Sequence, residues 1–186
     1  GVQKFLERHA WGTATSSDFF RAVGEASGRA EEVLKAFSEF VDQPGVPLID
    51  LALRCEGAKP AIEVAQQRLR PKDSKAENAK WTTPACFRAG DRVQCEEVAS
   101  ERRTVELAGA GTCPDWVVGN AGGVGHYVVR YDAKLDERIL AGLAKVPPDR
   151  PFLLDRVFCE LRASDVAREA GDAGADVAHA QPAGQV

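Results

Sequence analysis

The hydrophobic period of this chain switches from helical to alternating at Pro44-Gly45 and back again after Asp132, and that switch constrains the fold more than any other feature. Before it, Val2, Phe5, Leu6 and His9 form a first apolar stripe ended by Gly12. Phe19, Phe20, Val23 and Ala26 form a second, ended by Gly28, and Val33, Leu34, Phe37 and Phe40 or Val41 form a third. Such spacing places each set on one face of a helix. Thr15 followed by Asp18 has the form of an N-cap with an acidic first turn. The third helix stops at Pro44-Gly45, because proline removes a donor and glycine accepts a left-handed cap.

From Pro47 the period is two. Ile49, Leu51, Leu53 and Cys55 alternate with Leu48, Asp50, Ala52 and Arg54, as in a half-buried strand. The segment Gly57 to Pro60 has turn chemistry and leads into a partner strand over Ala61 to Leu69, followed by a charged loop from Pro71 to Lys80. Further strands are expected at Thr82 to Arg88, Arg92 to Val98, Arg103 to Leu107, Asp115 to Gly119 and His126 to Tyr131, with turns at Gly90-Asp91, Gly109 to Gly111 and Ala121 to Gly123. Helical spacing returns with Leu135, Ile139, Leu143 and Val146. Pro147-Pro148 breaks it, Asp149 is placed to cap, and another helix is expected from Pro151 to Ala167. Residues 171–186 carry no periodic apolar pattern and are expected to fray.

This pattern predicts an α+β chain in which an antiparallel β-sandwich of seven to eight strands is flanked by N-terminal and C-terminal helices. The expected divisions are 1–45 helical, 46–132 sandwich, 133–170 the start of a helical domain, and 171–186 a tail.

Composition narrows the function. The 186 residues carry 24 Lys and Arg against 28 Asp and Glu, a net charge of -4 that is no electrostatic footprint for a nucleic-acid partner. No run approaches the roughly 20 apolar residues of a membrane span. The histidines are His9, His126 and His179, none four apart, and methionine is absent, so a His-Glu-x-x-His zinc helix cannot be made. The opening Gly1-Val2-Gln3-Lys4-Phe5 lacks both an initiator and the pattern of a signal peptide, and is expected to lie within a longer chain.

The five cysteines, Cys55, Cys86, Cys95, Cys113 and Cys159, include no C-x-x-C pair. Two readings stand at this point. The cysteines are small buried hydrophobes with at least one free thiol, or Cys95 and Cys113 form a bridge between strand ends, which implies export.

Several strings fall in the order found in the aminopeptidase N family of zinc aminopeptidases, and residues 1–165 resemble it. Val2-Gln3-Lys4-Phe5-Leu6 and Ala14-Thr15-Ser16-Ser17-Asp18-Phe19-Phe20 resemble the closing helices of its catalytic domain, and Gln43-Pro44-Gly45-Val46-Pro47 resembles its Gln-x-Gly-x-Pro junction. Gln66-Gln67-Arg68-Leu69 and Trp81-Thr82-Thr83-Pro84 are similar to the Gln-x-Arg and Trp-x-x-Pro strings of its sandwich. Asn120, Gly125, Tyr127, Tyr131 and Asp132 fall where it has an Asn, a Gly, an aromatic pair and a Tyr-Asp. The chain departs from the pattern at Val128, Arg130 and Phe40, where relatives carry Arg, Asn and Trp.

The resemblance implies a parent that removes N-terminal residues from peptides with zinc. Its His-Glu-x-x-His, later Glu, Gly-x-Met-Glu-Asn segment and catalytic Tyr all lie upstream of Gly1. This chain is then expected to hold no catalytic, cofactor-binding or metal residues, with zinc only in the intact parent. Its partners are the missing catalytic region, the rest of a C-terminal helical domain and, through the parent, a peptide substrate. The β-sandwich is expected to act as an inter-domain scaffold.

The residues that look chemical have simpler readings. Gly122-Gly123-Val124-Gly125 leads into a strand and lacks the Lys-Ser/Thr of a phosphate loop. His126 and Tyr127 point to opposite faces of an alternating strand, and His9 lies on an apolar helix face. Ser16-Ser17 fit a helix start, and no G-x-S-x-G occurs. Glu31-Glu32 and Glu96-Glu97 are adjacent and diverge. Trp81 and Trp116 are expected as core or edge plugs. The alternatives are a standalone β-sandwich that binds a protein or peptide, and a hydrolase using Cys86, Cys95 or His126.

Overall fold

The computed structural model describes residues 1–56, 59–71, 74–99 and 102–145, so the helix expected over 151–167, the tail, Val146, Cys159 and His179 lie outside the described residues. The chain divides into two compact units, Gly1–Pro44 and the part from Gly45 onward. Among the described residues there are four helices and six strands, an α+β composition, and no helix is long and apolar enough to cross a membrane.

The first unit contains α1 (Val2–Arg8), α2 (Ser16–Ser27) and α3 (Ala30–Asp42). α2 begins where the sequence sets a capping box. The Thr15 hydroxyl accepts from the Asp18 N–H at 3.2 Å, and the Asp18 carboxylate accepts from the Thr15 N–H at 2.9 Å. It ends at Gly28, whose φ of 72° only glycine adopts without strain. Phe20 stacks on Phe37 at 4.8 Å and Phe5 meets Phe19 edge-on at 5.2 Å. The buried residues of the three helices are Phe20, Ala22 and Gly24 on α2, and α3 has none.

The second unit is built on two sheets. β1 (Pro47–Arg54), β2 (Ala61–Arg68), β5 (Arg102–Glu106) and β6 (Val128–Tyr131) make one, in the order β5-β2-β1-β6, and β3 (Thr83–Ala89) pairs with β4 (Arg92–Val98) in the other. β1 is central and is buried on both faces over its first six residues, so it is not the half-buried strand its alternation suggests. Ile49 and Leu51 enter a core shared by both sheets. That core takes Ile62 and Val64 from β2, Ala85 and Phe87 from β3 and Val98 from β4, and is closed by Leu135 and Ile139 of α4 (Ala133–Leu143). Each large apolar side chain buried there contributes about 2 kcal/mol.

Three further sequence expectations are corrected. The strand count is six among the described residues, below seven to eight, because Asp115 to Gly119 forms only a bridge between Val118 and Arg88. Side chains take the place of a partner strand there: the Tyr127 hydroxyl donates to the Gly119 carbonyl at 3.0 Å, and the Gly119 N–H donates to the Tyr131 hydroxyl at 2.9 Å. The pairing is not wholly antiparallel either, since β6 runs parallel to β1 from Leu48↔Val128 to Leu51↔Tyr131.

The cysteines are the third correction. The four among the described residues are neither lone buried thiols nor a Cys95–Cys113 pair, but form Cys86–Cys95 and Cys55–Cys113. The β3–β4 register sets Cys95 directly opposite Cys86, and the chain after β5 brings Cys113 to the end of β1 with a Cα–Cα distance of 5.5 Å to Cys55. By chain entropy, closing a separation of 58 residues stabilises the fold by about 4 kcal/mol and a separation of 9 by about 2.5 kcal/mol.

Candidate functional site

Gln66 sits on β2 at 2% exposure with its amide fully engaged. Its Nε2 donates to the carbonyls of Trp81 (3.0 Å) and Val98 (2.8 Å), and its Oε1 accepts from the Trp81 N–H at 2.6 Å. One side chain therefore fastens the approach to β3 and the end of β4 to the other sheet. Arg68, two residues on, lies with its guanidinium 5.9 Å from the centre of the Trp81 ring and donates to the Glu77 carbonyl at 2.9 Å, while its backbone N–H bonds to Asn78.

A second group of clamps surrounds β6. Asn120 closes the Ala121–Gly123 turn by donating to the Gly125 carbonyl at 3.0 Å and accepting from the Gly125 N–H at 2.9 Å. The Tyr127 hydroxyl both donates to Gly119 and accepts from the Cys86 N–H at 3.2 Å. Asp132 caps α4 by accepting from the Leu135 N–H at 2.8 Å and also holds Arg54, which pairs with Glu63 at 2.8 Å. Arg130 reaches Asp50 through two bonds, at 2.5 and 3.0 Å, and Gln67 donates to the same carboxylate at 3.0 Å. Asp50 is buried in the middle of β1 with its charge paired and its oxygens bonded, the condition for a carboxylate to be held inside a protein.

The other residues singled out in the sequence fall into ordinary places. His126 is exposed while Tyr127 is buried, and the Tyr127 hydroxyl already uses its proton and a lone pair, so the two make no acid-base pair. His9 caps the C-terminal end of α1, and its ring lies tilted against Phe5 with centroids 5.1 Å apart. The N–H of Gly125 is taken by Asn120, so Gly122 to Gly125 presents no anion cradle at a helix start.

Ser16 and Ser17 open α2. Glu31 and Glu32 are exposed in the first turn of α3, and Glu32 pairs with Arg29. Glu96 is half-buried and meets Arg103 at 3.4 Å, while Glu97 faces solvent. Trp81 is 1% exposed in the core, and Trp116 packs so tightly on Gly142 of α4 that no Cβ fits there.

The hydrolase reading loses its sulfur nucleophiles, because Cys86 and Cys95 are bonded to each other. No group of three or more His, Cys, Asp or Glu among the described residues is placed to hold a metal, so the zinc implied by the resemblance does not fit them.

Sequence reasoning missed two features. One is the Asp50–Arg130 pair, visible in the sequence only as an acid at an alternating strand position. The other is the lacing of β4 to β5 and to the segment that follows it. Gln94 donates to the Glu106 carbonyl at 3.1 Å and accepts from the Ala108 N–H at 2.9 Å, Arg103 donates to the Glu97 carbonyl at 2.7 Å, and Arg92 bonds to the Gly109 carbonyl. A groove of about 470 Å³ lies beside this lacing, lined by Phe87, Val93, Leu107, Ala110 and Pro114 together with Arg92.

The chain is related to aminopeptidases. It is similar to the puromycin-sensitive aminopeptidase of Caenorhabditis elegans, with 28% identity over 161 residues, which is 84% of this chain and 16% of that protein. The chain thus spans about a sixth of the length of that relative. No family model matches it.

Proposed function

We propose that this chain is a non-catalytic section of a zinc-dependent aminopeptidase of the aminopeptidase N type, whose intact form removes N-terminal amino acids from peptides. In this reading residues 1–45 close a catalytic domain, 46–132 form a β-sandwich that holds neighbouring domains apart, and the segment from 133 opens a helical domain. One observation carries the reading. Gln66, Arg68, Trp81, Asn120, Gly125, Tyr127, Tyr131 and Asp132, the residues that carry the resemblance in the β unit, each place at least one polar group in a bond that holds backbone or caps a helix. They match the family because they build its scaffold.

The test is metal analysis and an aminopeptidase assay on the 186-residue chain, with zinc and aminoacyl chromogenic substrates. The scaffold reading expects no stoichiometric zinc and no turnover, and tightly bound zinc with turnover contradicts it. The groove beside β4 favours a second reading, a self-standing β module that binds a peptide. That reading requires the isolated chain to capture short peptides and to lose them when Val93→Asp is introduced on the exposed wall of the groove.

A further inference from the structure

The two disulfides of the β unit lie in different surroundings. Along β3, Thr83, Ala85 and Phe87 are buried, while Pro84 is exposed and Cys86 and Arg88 are half-buried on the opposite face. The register places Cys95 across from Cys86 on that outer face, and Cys95 is exposed. The bond joins two strands already paired from Thr83↔Val98 to Ala89↔Arg92, with a sequence separation of 9. Cys55 and Cys113, by contrast, are both half-buried. Their bond spans a separation of 58 residues and ties the end of β1 to a segment also gripped by Arg138, which donates to the carbonyls of Pro114 (2.7 Å) and Asp115 (2.8 Å).

Exchange at a disulfide requires a thiolate to reach one sulfur, so access sets which bond reacts. A bond between strands that are held by their own ladder also constrains the chain less than one closing a long loop. We propose that Cys86–Cys95 is a thiol–disulfide exchange site for a dithiol reagent, entered at Cys95, and that it opens ahead of Cys55–Cys113 with the fold intact.

In the first step a thiolate of the dithiol attacks Sγ of Cys95. The Cys86–Cys95 bond breaks, and Cys86 leaves as a thiolate that takes a proton from water. In the second step the remaining thiol of the reagent, deprotonated, attacks its own sulfur in the mixed disulfide, expels Cys95 as a thiolate and closes the reagent's disulfide. Two electrons pass from the dithiol to the protein, which gains two thiols. The oxidised reagent reseals the bond by the reverse path. The face that changes is the outer one, and the buried side chains Ala85, Phe87 and Val98 stay where they are.

The test uses the full chain. Thiols already free are first blocked with iodoacetamide, dithiothreitol is then added as the dithiol, and samples are alkylated over time with a second, mass-distinct reagent and mapped by peptide mass spectrometry. Cys86 and Cys95 should label at least about tenfold faster than Cys55 and Cys113, with the far-ultraviolet circular dichroism unchanged at the point where only the first pair is labelled. Equal or reversed order overturns the proposal, as does loss of the fold when the first bond opens. The double variant Cys86→Ser with Cys95→Ser provides an independent check. It should fold and leave the labelling rate of Cys55 and Cys113 within about twofold of the parent's, whereas an unfolded variant or a faster-opening second bond overturns the inference.

Discussion

The helical unit and the β unit hold themselves together by different means. Gly1–Pro44 buries Phe20, Ala22 and Gly24 and leaves Val2, Leu6, Trp11, Phe37 and Val41 at 38% exposure or more. It rests on the Thr15–Asp18 capping box, the Gly28 cap, ring contacts between helices such as Phe20–Phe37, and surface ion pairs such as Arg8–Glu25 at 2.7 Å. Exposed pairs of that kind contribute less than about 1 kcal/mol each. The β unit buries a continuous core, threads it with the amides of Gln66 and Asn120 and the hydroxyls of Tyr127 and Tyr131, and adds two disulfides. The difference teaches that amphipathic helices with good caps are not by themselves a packed domain. Under the proposed function, the apolar faces of α1 and α3 belong against the upstream catalytic region.

The largest expected effect is in the β unit. Replacing Gln66 with Ala leaves the Trp81 N–H and two carbonyls without their partner in a buried place, and should cost roughly 3 kcal/mol in a urea titration followed by Trp fluorescence. Phe37→Ala removes one stacked ring from a face that is already open, and should cost about 1 kcal/mol or less. Equal losses in the two variants would break the comparison.

A smaller effect sharpens it from the other side. The backbone N–H of Thr15, and then its hydroxyl, bond to the Asp18 carboxylate and hold its pKa below the ordinary 3.8. A folded-state pKa that is depressed supplies stability above the unfolded value and loses it as pH falls through the folded value. The cap of α2 should therefore be intact above pH 3.8 and fray progressively below it. In a nuclear magnetic resonance titration the Asp18 and Phe19 amides should shift in that window, and the step should vanish in Asp18→Asn, which has no carboxylate to protonate. The core amides of β1 should not move with it.

Much of this was legible in the sequence, and the reasons are local. Capping chemistry at Thr15 and Gly28 and the stop at Pro44-Gly45 involve residues within one turn of each other, so α1 to α3 and the entry to β1 could be placed from spacing alone. The β3–β4 turn at Gly90-Asp91 is equally local. What was hidden depends on residues far apart in the chain. β6 lies parallel to β1 across some eighty positions, and a strand pattern at Asp115 to Gly119 says nothing of two tyrosine hydroxyls that satisfy Gly119 instead of a neighbouring strand. Cysteine pairing failed for the same reason, because it follows strand register and the path of the chain after β5. The motif residues of the candidate site were found, but only the structure shows that their polar groups grip backbone.

Amide hydrogen exchange across the whole chain, read by mass spectrometry at neutral pH, tests the account most directly. If the β unit is a self-sufficient scaffold and the helices are held by caps, a few ring contacts and surface ion pairs, amides over 47–54 and 61–68 should exchange about a thousandfold or more slowly than those over 2–42. Protection of the three helices equal to that of β1 and β2 would contradict it.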